Sequence, residues 1–373
     1  METFHLKSTL IENDKEFVIQ TANDIEQGSI LSTVYVDGQI ADKLDCPHPH
    51  GIEPEKVASL VKLTHQEQKQ EIEALLQAYR RTLDDGSADT MYHLGTAFYY
   101  KRLYTEAREL FTAAITLDNE HHQACNHLGL TQLALNLVPD AVQSFTVAVE
   151  KRPTYADYRN NLGEALLAHG SCDQAVRELE KAIGINMYYG DAHLNLSLVL
   201  IVLAQECRNE ADLAAMISRA GNYLEKATLI YPDYDQGLLQ KGRESLETGD
   251  LQRAYRVLLK MRQVKKEDHR REFASFFMRF LVSPEWVSEE ALGERMRFLQ
   301  SEITRNPGYV DLYVESAGCH WQSAAIAWQK GLQQYRQALK INPSLPTARD
   351  HLSRLQQEFE NIREVLKMVV EKE

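Results

Sequence analysis

The sequence predicts a mainly α protein, an α-solenoid of helix-turn-helix repeats preceded by a small antiparallel β-sheet. Three observations predict it. One residue pattern recurs every 34 residues between Ala88 and Met187. Residues 1 to 45 follow a different rule, with apolar and polar residues alternating. The composition, 44% hydrophobic and 25% charged over 373 residues, is that of a folded chain. That length suits two or more domains, or one solenoid, which no single core limits.

The repeat is carried by four sets of residues. Leu94-Gly95, Leu128-Gly129 and Leu162-Gly163 share one interval with Ala107, Ala141 and Ala175, with Phe111, Phe145 and Leu179, and with Ala114, Ala148 and Ala182. Small residues at fixed places mark where two helices approach closely, because only a small side chain fits between backbones at a crossing. These residues resemble the tetratricopeptide repeat, whose first helix carries Leu-Gly and whose second carries Ala, a bulky apolar residue, Ala and Pro. Pro153 fills the last place in the second unit, while Asn119 and Met187 depart from it. The resemblance implies a right-handed superhelix whose first helices line an inner groove.

Taken in order, Phe4, Leu6, Ser8 and Leu10 alternate with polar residues, as do Phe17 and Ile19, and residues 30–35 are rich in β-branched and aromatic types. Asp37-Gly38 between two such runs favours a tight hairpin turn. Strands are expected at roughly 3–11, 15–22, 29–36 and 39–44, in a β module of residues 1–50 whose apolar face needs a partner. The prolines of Cys46-Pro-His-Pro-His50 are expected to end the sheet. A linking helix, residues 51–86, is apolar at both ends and polar from His65 to Glu71, so it is expected to carry the sheet at its start and the first repeat at its end.

Residues 87–262 hold five repeat units. Unit four has Ser197 in place of Gly, and Ala220 follows Ala175 by 45 residues, an insertion of 11. That extra length around Gln205 to Met216 implies longer helices, and unit five returns to the pattern with Gly242, Ala254 and Leu258. After Met261 the pattern blurs. Residues 263–345 are expected to form divergent repeats: a helix at His269–Val282 with one at Glu290–Arg305, then a seventh unit from about Tyr309 to Pro343. Residues 346–373 are expected to cap the solenoid.

On the resemblance, the groove-facing positions are Tyr92, His93, Thr96 and Tyr99, then Asn126, His127 and Leu130, then Asn160, Asn161 and Glu164, then Leu194, Asn195 and Leu198. Asn161 and Asn195 resemble the asparagine ladder in the repeat superhelix of O-linked N-acetylglucosamine transferase. An amide both donates to a C=O and accepts from an N–H, so such a row reads a peptide backbone without reading its sequence. The other reading has both amides bonded to neighbouring helices or water. Leu130, Leu133, Leu167, Leu198, Ile201 and Val202 suggest either a trough for an apolar segment or a place that the chain's own segments fill. Family members that bind chaperone C-termini clamp carboxylates with Lys and Arg, which these positions lack.

The expected function is a protein-protein interaction scaffold or adaptor that binds a peptide or partner segment in the groove. No catalytic residue, metal or cofactor is assigned: Gly-rich phosphate loops, nucleophile elbows and metalloprotease helices are absent. His121 with Cys125, and Cys46 with His48 and His50, are incomplete ligand sets. The alternatives are a self-assembling subunit, or a metal-dependent regulator or enzyme using the β module or residues 263–314. A net charge of −13 argues against nucleic acid, and the basic residues Lys265, Lys266, His269, Arg270 and Arg271 read as a solvated loop and helix start. The most apolar run, Leu194 to Ala204, is about half the ~20 residues that cross a bilayer, so it reads as a helix buried on most sides. With no secretory signal at Met1-Glu-Thr-Phe-His and five scattered cysteines, a reduced, cytoplasmic protein is expected. The edge of the sheet offers a route to a homo-oligomer.

Overall fold

The computed structural model describes residues 3–12, 15–49, 52–281, 289–305 and 310–341. It divides into two compact units, Met1–Trp286 and Val287–Glu373. The first opens with a four-stranded meander of β1 (His5–Glu12), β2 (Lys15–Asp24), β3 (Ser29–Val36) and β4 (Gln39–Pro47), antiparallel in the order β1-β2-β3-β4. Asp37 and Gly38 have φ of 49° and 80°, the positive angles of the predicted hairpin, and Val36 pairs with Gln39 across them. One expectation about this sheet fails. β4 does not stop before Cys46: Cys46 and Pro47 pair with Ile30 and Ser29. As β4 is an edge strand, a proline at its last position leaves no ladder bond unmade.

The sheet packs on α1 (Pro54–Asp85) along the helix's length. Val57 and Val61 meet Ile30 near its start, while Ile72, Leu75, Leu76 and Tyr79 join Phe17, Ile19 and Val34 in a core shared with the first repeat. The polar middle of α1 faces the sheet. His65 bonds Ser8 at 2.8 Å through Nε2 and Thr21 at 2.9 Å through Nδ1, Thr21 and Ser32 hydroxyls lie 2.6 Å apart, and Ser32 donates to Gln68. Lys101, just after the first repeat helix, closes this layer with Asp42 at 2.7 Å and Glu71 at 2.9 Å. Burial opposes the Lys101 charge, but the two carboxylates outweigh it and hold the ammonium above its ordinary pKa.

Five helix hairpins follow: α2 (Ala88–Tyr100) with α3 (Tyr104–Leu117), α4 (His122–Ala134) with α5 (Val138–Lys151), α6 (Ala156–Ala168) with α7 (Cys172–Ile185), α8 (Gly190–Glu206) with α9 (Glu210–Ile230), and α10 (Gln236–Glu247) with α11 (Leu251–Leu281). The repeat glycine is explained by what lies over it. A Cβ on Gly129 would fall 2.7 Å from the Phe145 ring, and one on Gly95, Gly163 or Gly242 would strike Phe111, Leu179 or Leu258 equally hard. Those bulky residues are fully buried, so in each hairpin one helix gives up a side chain to seat the other's. In unit four Ser197 stands in the glycine's place and donates to the Ala220 carbonyl at 2.8 Å. Its helices have 17 and 21 residues against 13 and 14 in unit three; the excess of four and seven makes up the predicted insertion of eleven.

Two expectations about the later helices also fail. No break follows Met261: α11 is one helix of 31 residues, so the boundary drawn between 262 and 263 falls inside it, and Lys265 and Lys266 lie on a helix rather than in a loop. In the second unit, α12 (Glu289–Arg305) packs against α13 (Val310–Ile341), and α13 is one helix of 32 residues where two were expected. Polar stretches with no proline leave the backbone free to stay helical. Pro343 and the expected capping helix lie outside the described residues.

Candidate groove and its resident helix

The first helices α2, α4, α6 and α8 pack one against the next besides packing on their own partners, which puts them on the inside of the curve. Their facing residues divide into two kinds. Near the N-terminal end the surface is aromatic. The Tyr92 ring lies 5.1 Å from His93, 4.9 Å from His121 and 5.3 Å from His127, and His127 is 5.6 Å from Phe111 and 6.3 Å from Tyr99. Burial among these rings, with His121 and His93 nearby, pushes the His127 pKa down to about 4 although its Nδ1 bonds the Gln123 carbonyl. Thr96 is buried and bonds the Tyr92 carbonyl, while His93 is exposed.

Further along, the surface is amides and carboxylates. Asn161 donates to Asn126 at 3.0 Å and Asn195 donates to Asn160 at 2.8 Å, each across one helix-helix joint. The four asparagines thus bond to neighbouring helices, the second of the two readings offered by the sequence. Their spacing of 35 residues per bond, one more than the repeat, follows from a bond that links adjacent positions on successive helices.

α11 lies over this polar stretch. It packs against α8 and, at its far end, against α2. Arg262 donates through Nη1 to Asn195 Oδ1 at 2.7 Å, with Nη2 3.5 Å from Glu164. Lys265 reaches Asp191 at 2.5 Å and lies over the rings of Tyr231 and Tyr234 at 4.0 and 5.1 Å. Lys266 bonds both oxygens of Glu164, at 2.7 and 2.5 Å, and Arg102 pairs with Glu267 at 2.5 Å. Burial alone would raise the Glu164 pKa; Arg262 and Lys266 outweigh it and hold the carboxyl down at about 2. The groove's cations therefore come from the chain itself, and they meet carboxylates on the groove wall. This is the reverse of a carboxylate clamp.

The structure brings Asn126, Asn160, Asn161, Glu164 and Asn195 into one network and gathers Tyr92, His93, Tyr99 and His127 into another. Leu130 is half-buried. Leu194 and Leu198 are fully buried in α8, which packs against α6, α7, α9 and α11, so they present no surface. Ile201 is also fully buried and Leu167 is 8% exposed, while Leu133 and Val202, like Leu130, are half-buried. Asp191, Tyr231, Tyr234, Arg262, Lys265 and Lys266 were missed as groove residues. The available signal was the absence of Gly and Pro between Leu251 and Leu281, together with three cations on one helix face. Cys125 is buried at a packing position, its thiol pushed up by burial, and His121 faces Asp89 at 3.4 Å. Among the described residues no group of three or more His, Cys, Asp and Glu could hold a metal ion, and no helix is long and apolar enough to cross a membrane.

Helix hairpins stacked in register, the joint closed in four of the five by a glycine beneath a bulky side chain and in unit four by Ser197, define a helical-repeat solenoid. The family profile of the tetratricopeptide repeat matches residues 92–156 and again 128–189. Residues 92–189 are thus tetratricopeptide repeats, and they follow a small N-terminal four-stranded sheet. No curated protein matches it in sequence. Among solved structures it is similar to MamA at 22% identity, with a TM-score of 0.35 and coverage of 46% of this chain and 96% of that one. For TTC0263, a thermophilic tetratricopeptide-repeat protein in Thermus thermophilus, the values are 20% identity, 0.36, 63% and 100%. For YrrB, described as a tetratricopeptide-repeat protein with an unusual peptide-binding site, they are 16%, 0.36, 54% and 97%.

Proposed function

We propose that this protein is a non-enzymatic adaptor that binds a partner protein's segment along the groove of its repeats. The contact set is Tyr92, His93, Tyr99, Asn126, His127, Leu130, Asn160, Asn161, Glu164 and Asn195, with Leu194 and Leu198 beneath. The observation that carries this reading is the seat of α11: the polar stretch of the groove already holds a helix through Asn195, Glu164 and Asp191. That seat supports a helical ligand over an extended one, since the amides that would grip a strand are committed to one another. The five scattered cysteines fit a cytoplasmic setting. Affinity capture from the native cell, comparing wild type with Tyr99→Ala/Glu164→Ala, tests it. Partners lost from the variant support the groove; an unchanged partner set removes it.

A second contact surface is the pair of sheet edges, where Ile11 is 76% exposed on β1 and Ile40 53% on β4. Edge strands carrying exposed apolar residues pair readily with another chain. Sedimentation of Ile11→Lys and Ile40→Lys is expected to show less self-association than wild type. Equal behaviour would count against an edge-to-edge oligomer.

A further inference from the structure

We propose that α11 is a displaceable resident of the groove, and that the partner segment which replaces it is an α-helix carrying Arg, Lys and Lys at the spacing of Arg262, Lys265 and Lys266. This rests on the reading that the groove binds a partner's helix.

Three features of the seat argue for it. The first is how α11 is held. Up to Met261 it is an ordinary repeat helix, with Ala254, Leu258 and Met261 fully buried. From Arg262 to Glu267 its described contacts change to ion pairs, amide bonds and ring-cation contacts. A second segment with the same cations reproduces these one for one, so exchange costs little in contacts. Release of the resident needs only local unwinding from its far end.

The second feature is selectivity. Residues at i, i+3 and i+4 share one helix face, and each cation meets a defined set of groups, with Glu164 shared between Arg262 and Lys266. Asn195 with Glu164 takes a forked guanidinium, Asp191 with the rings of Tyr231 and Tyr234 takes an ammonium, and the two oxygens of Glu164 take a second ammonium. A ligand without cations would leave Glu164 in the groove wall with its charge uncompensated, which disfavours it. The third is that the resident fits imperfectly: Arg262 Nε is buried with no acceptor. A buried N–H left unmade is unfavourable, and an external helix free to adjust its depth can satisfy it.

The test uses the full chain and a fluorescent synthetic peptide of residues 257–272, read by anisotropy. Arg262→Glu/Lys265→Glu/Lys266→Glu repels the resident from the wall and opens the seat. A tethered occupant competes at a high effective concentration, so the opened variant is expected to bind the peptide at least tenfold more tightly than wild type. The peptide with its three cations changed to Ala is expected not to bind. If the triple change impairs folding, Lys265→Ala/Lys266→Ala serves, with a gain of threefold or more. Equal affinity for wild type and variant, or undiminished binding of the Ala peptide, overturns the proposal. Hydrogen exchange separates the two readings. An α11 still protected in the opened variant removes displacement alone, whereas a released α11 with no peptide bound removes the groove as a helix site.

Discussion

The joint inside a repeat and the seat of α11 are both helix-on-helix contacts, but they are built from opposite chemistry. At the joint of unit two, Phe145 lies on Gly129 between Ala141 and Ala148, all buried, and the hydrogen bond from Ser144 to Gln132 at 2.7 Å lies beside this apolar contact. At the seat, Arg262, Lys265 and Lys266 meet Asn195, Asp191 and Glu164 across 67, 74 and 102 residues of sequence. The first kind of contact is local, mainly apolar and specified by shape. The second is distant and specified by charge, and it loses strength as salt rises. A solenoid built only from the first kind would have an empty groove. The second kind lets a repeat helix leave the register of its unit and lie along the others.

The largest expected effect is at the joint. Phe145→Ala removes a fully buried ring from a site that Gly129 cannot fill, so it should destabilise the protein by about 3–5 kcal/mol in urea titration. Ala141→Leu should cost about 1–3 kcal/mol by overpacking the same crossing. Neither cost should vary much between low and high salt. A loss under ~1 kcal/mol for Phe145→Ala would mean that the register of the repeat is wrong.

The same contrast explains what could be read from the sequence. Gly129, Ala141, Phe145 and Ala148 lie within 20 residues of one another, so their shared period exposes the joint directly. The insertion in unit four was legible for the same reason, as a slip between Ala175 and Ala220. The course of α11 was not. Arg262, Lys265 and Lys266 are charged because their partners are polar, yet those partners sit on α6 and α8, and no local pattern connects Lys266 to Glu164. Without them, Lys265 and Lys266 resemble a solvated break. The polar middle of α1 hid its role in the same way: His65 and Gln68 are polar because Ser8, Thr21 and Ser32 face them from the sheet. Asn161 and Asn195 were found by position, but only the structure could say that they bond to Asn126 and Asn160.

At the seat the expected effect is smaller and depends on pH. The Glu164 carboxyl titrates near 2 in the folded protein against an ordinary 4.5, so the unfolded or undocked chain binds its proton first as pH falls. The stabilisation is present in full above about pH 4.5 and is lost towards pH 2. The shift corresponds to about 3 kcal/mol; Lys266 is half-exposed and screened, so roughly 2 kcal/mol is the better expectation. Glu164→Gln should therefore speed hydrogen exchange in α11 at pH 7 by about thirtyfold, which is that energy expressed as a rate ratio. It should also flatten the acid loss of α11 protection between pH 4.5 and 2. Unchanged exchange in the variant would mean that the charges do not hold the helix.

The smallest effect sets the two kinds of contact against each other at one residue. Arg102 occupies the turn position of unit one that holds Asn136, Gly170 and Gly249 in other units, and all four have positive φ, 58°, 60°, 82° and 75°. A left-handed backbone costs a non-glycine residue about 1–2 kcal/mol, so the repeat alone would favour Gly at 102. Arg102 instead pairs with Glu267 of α11, a contact about a third exposed at both ends and worth ~1 kcal/mol at most. Arg102→Gly should leave overall stability unchanged or raise it by up to ~1 kcal/mol, because the relieved turn offsets the lost pair. Exchange in α11 beyond Glu267 should nevertheless become a few-fold faster. Loosening of one helix without loss of global stability is the signature of a residue kept for the seat at the expense of its own turn; slower or equal exchange in α11 would show that the Glu267 pair carries no part of the docking.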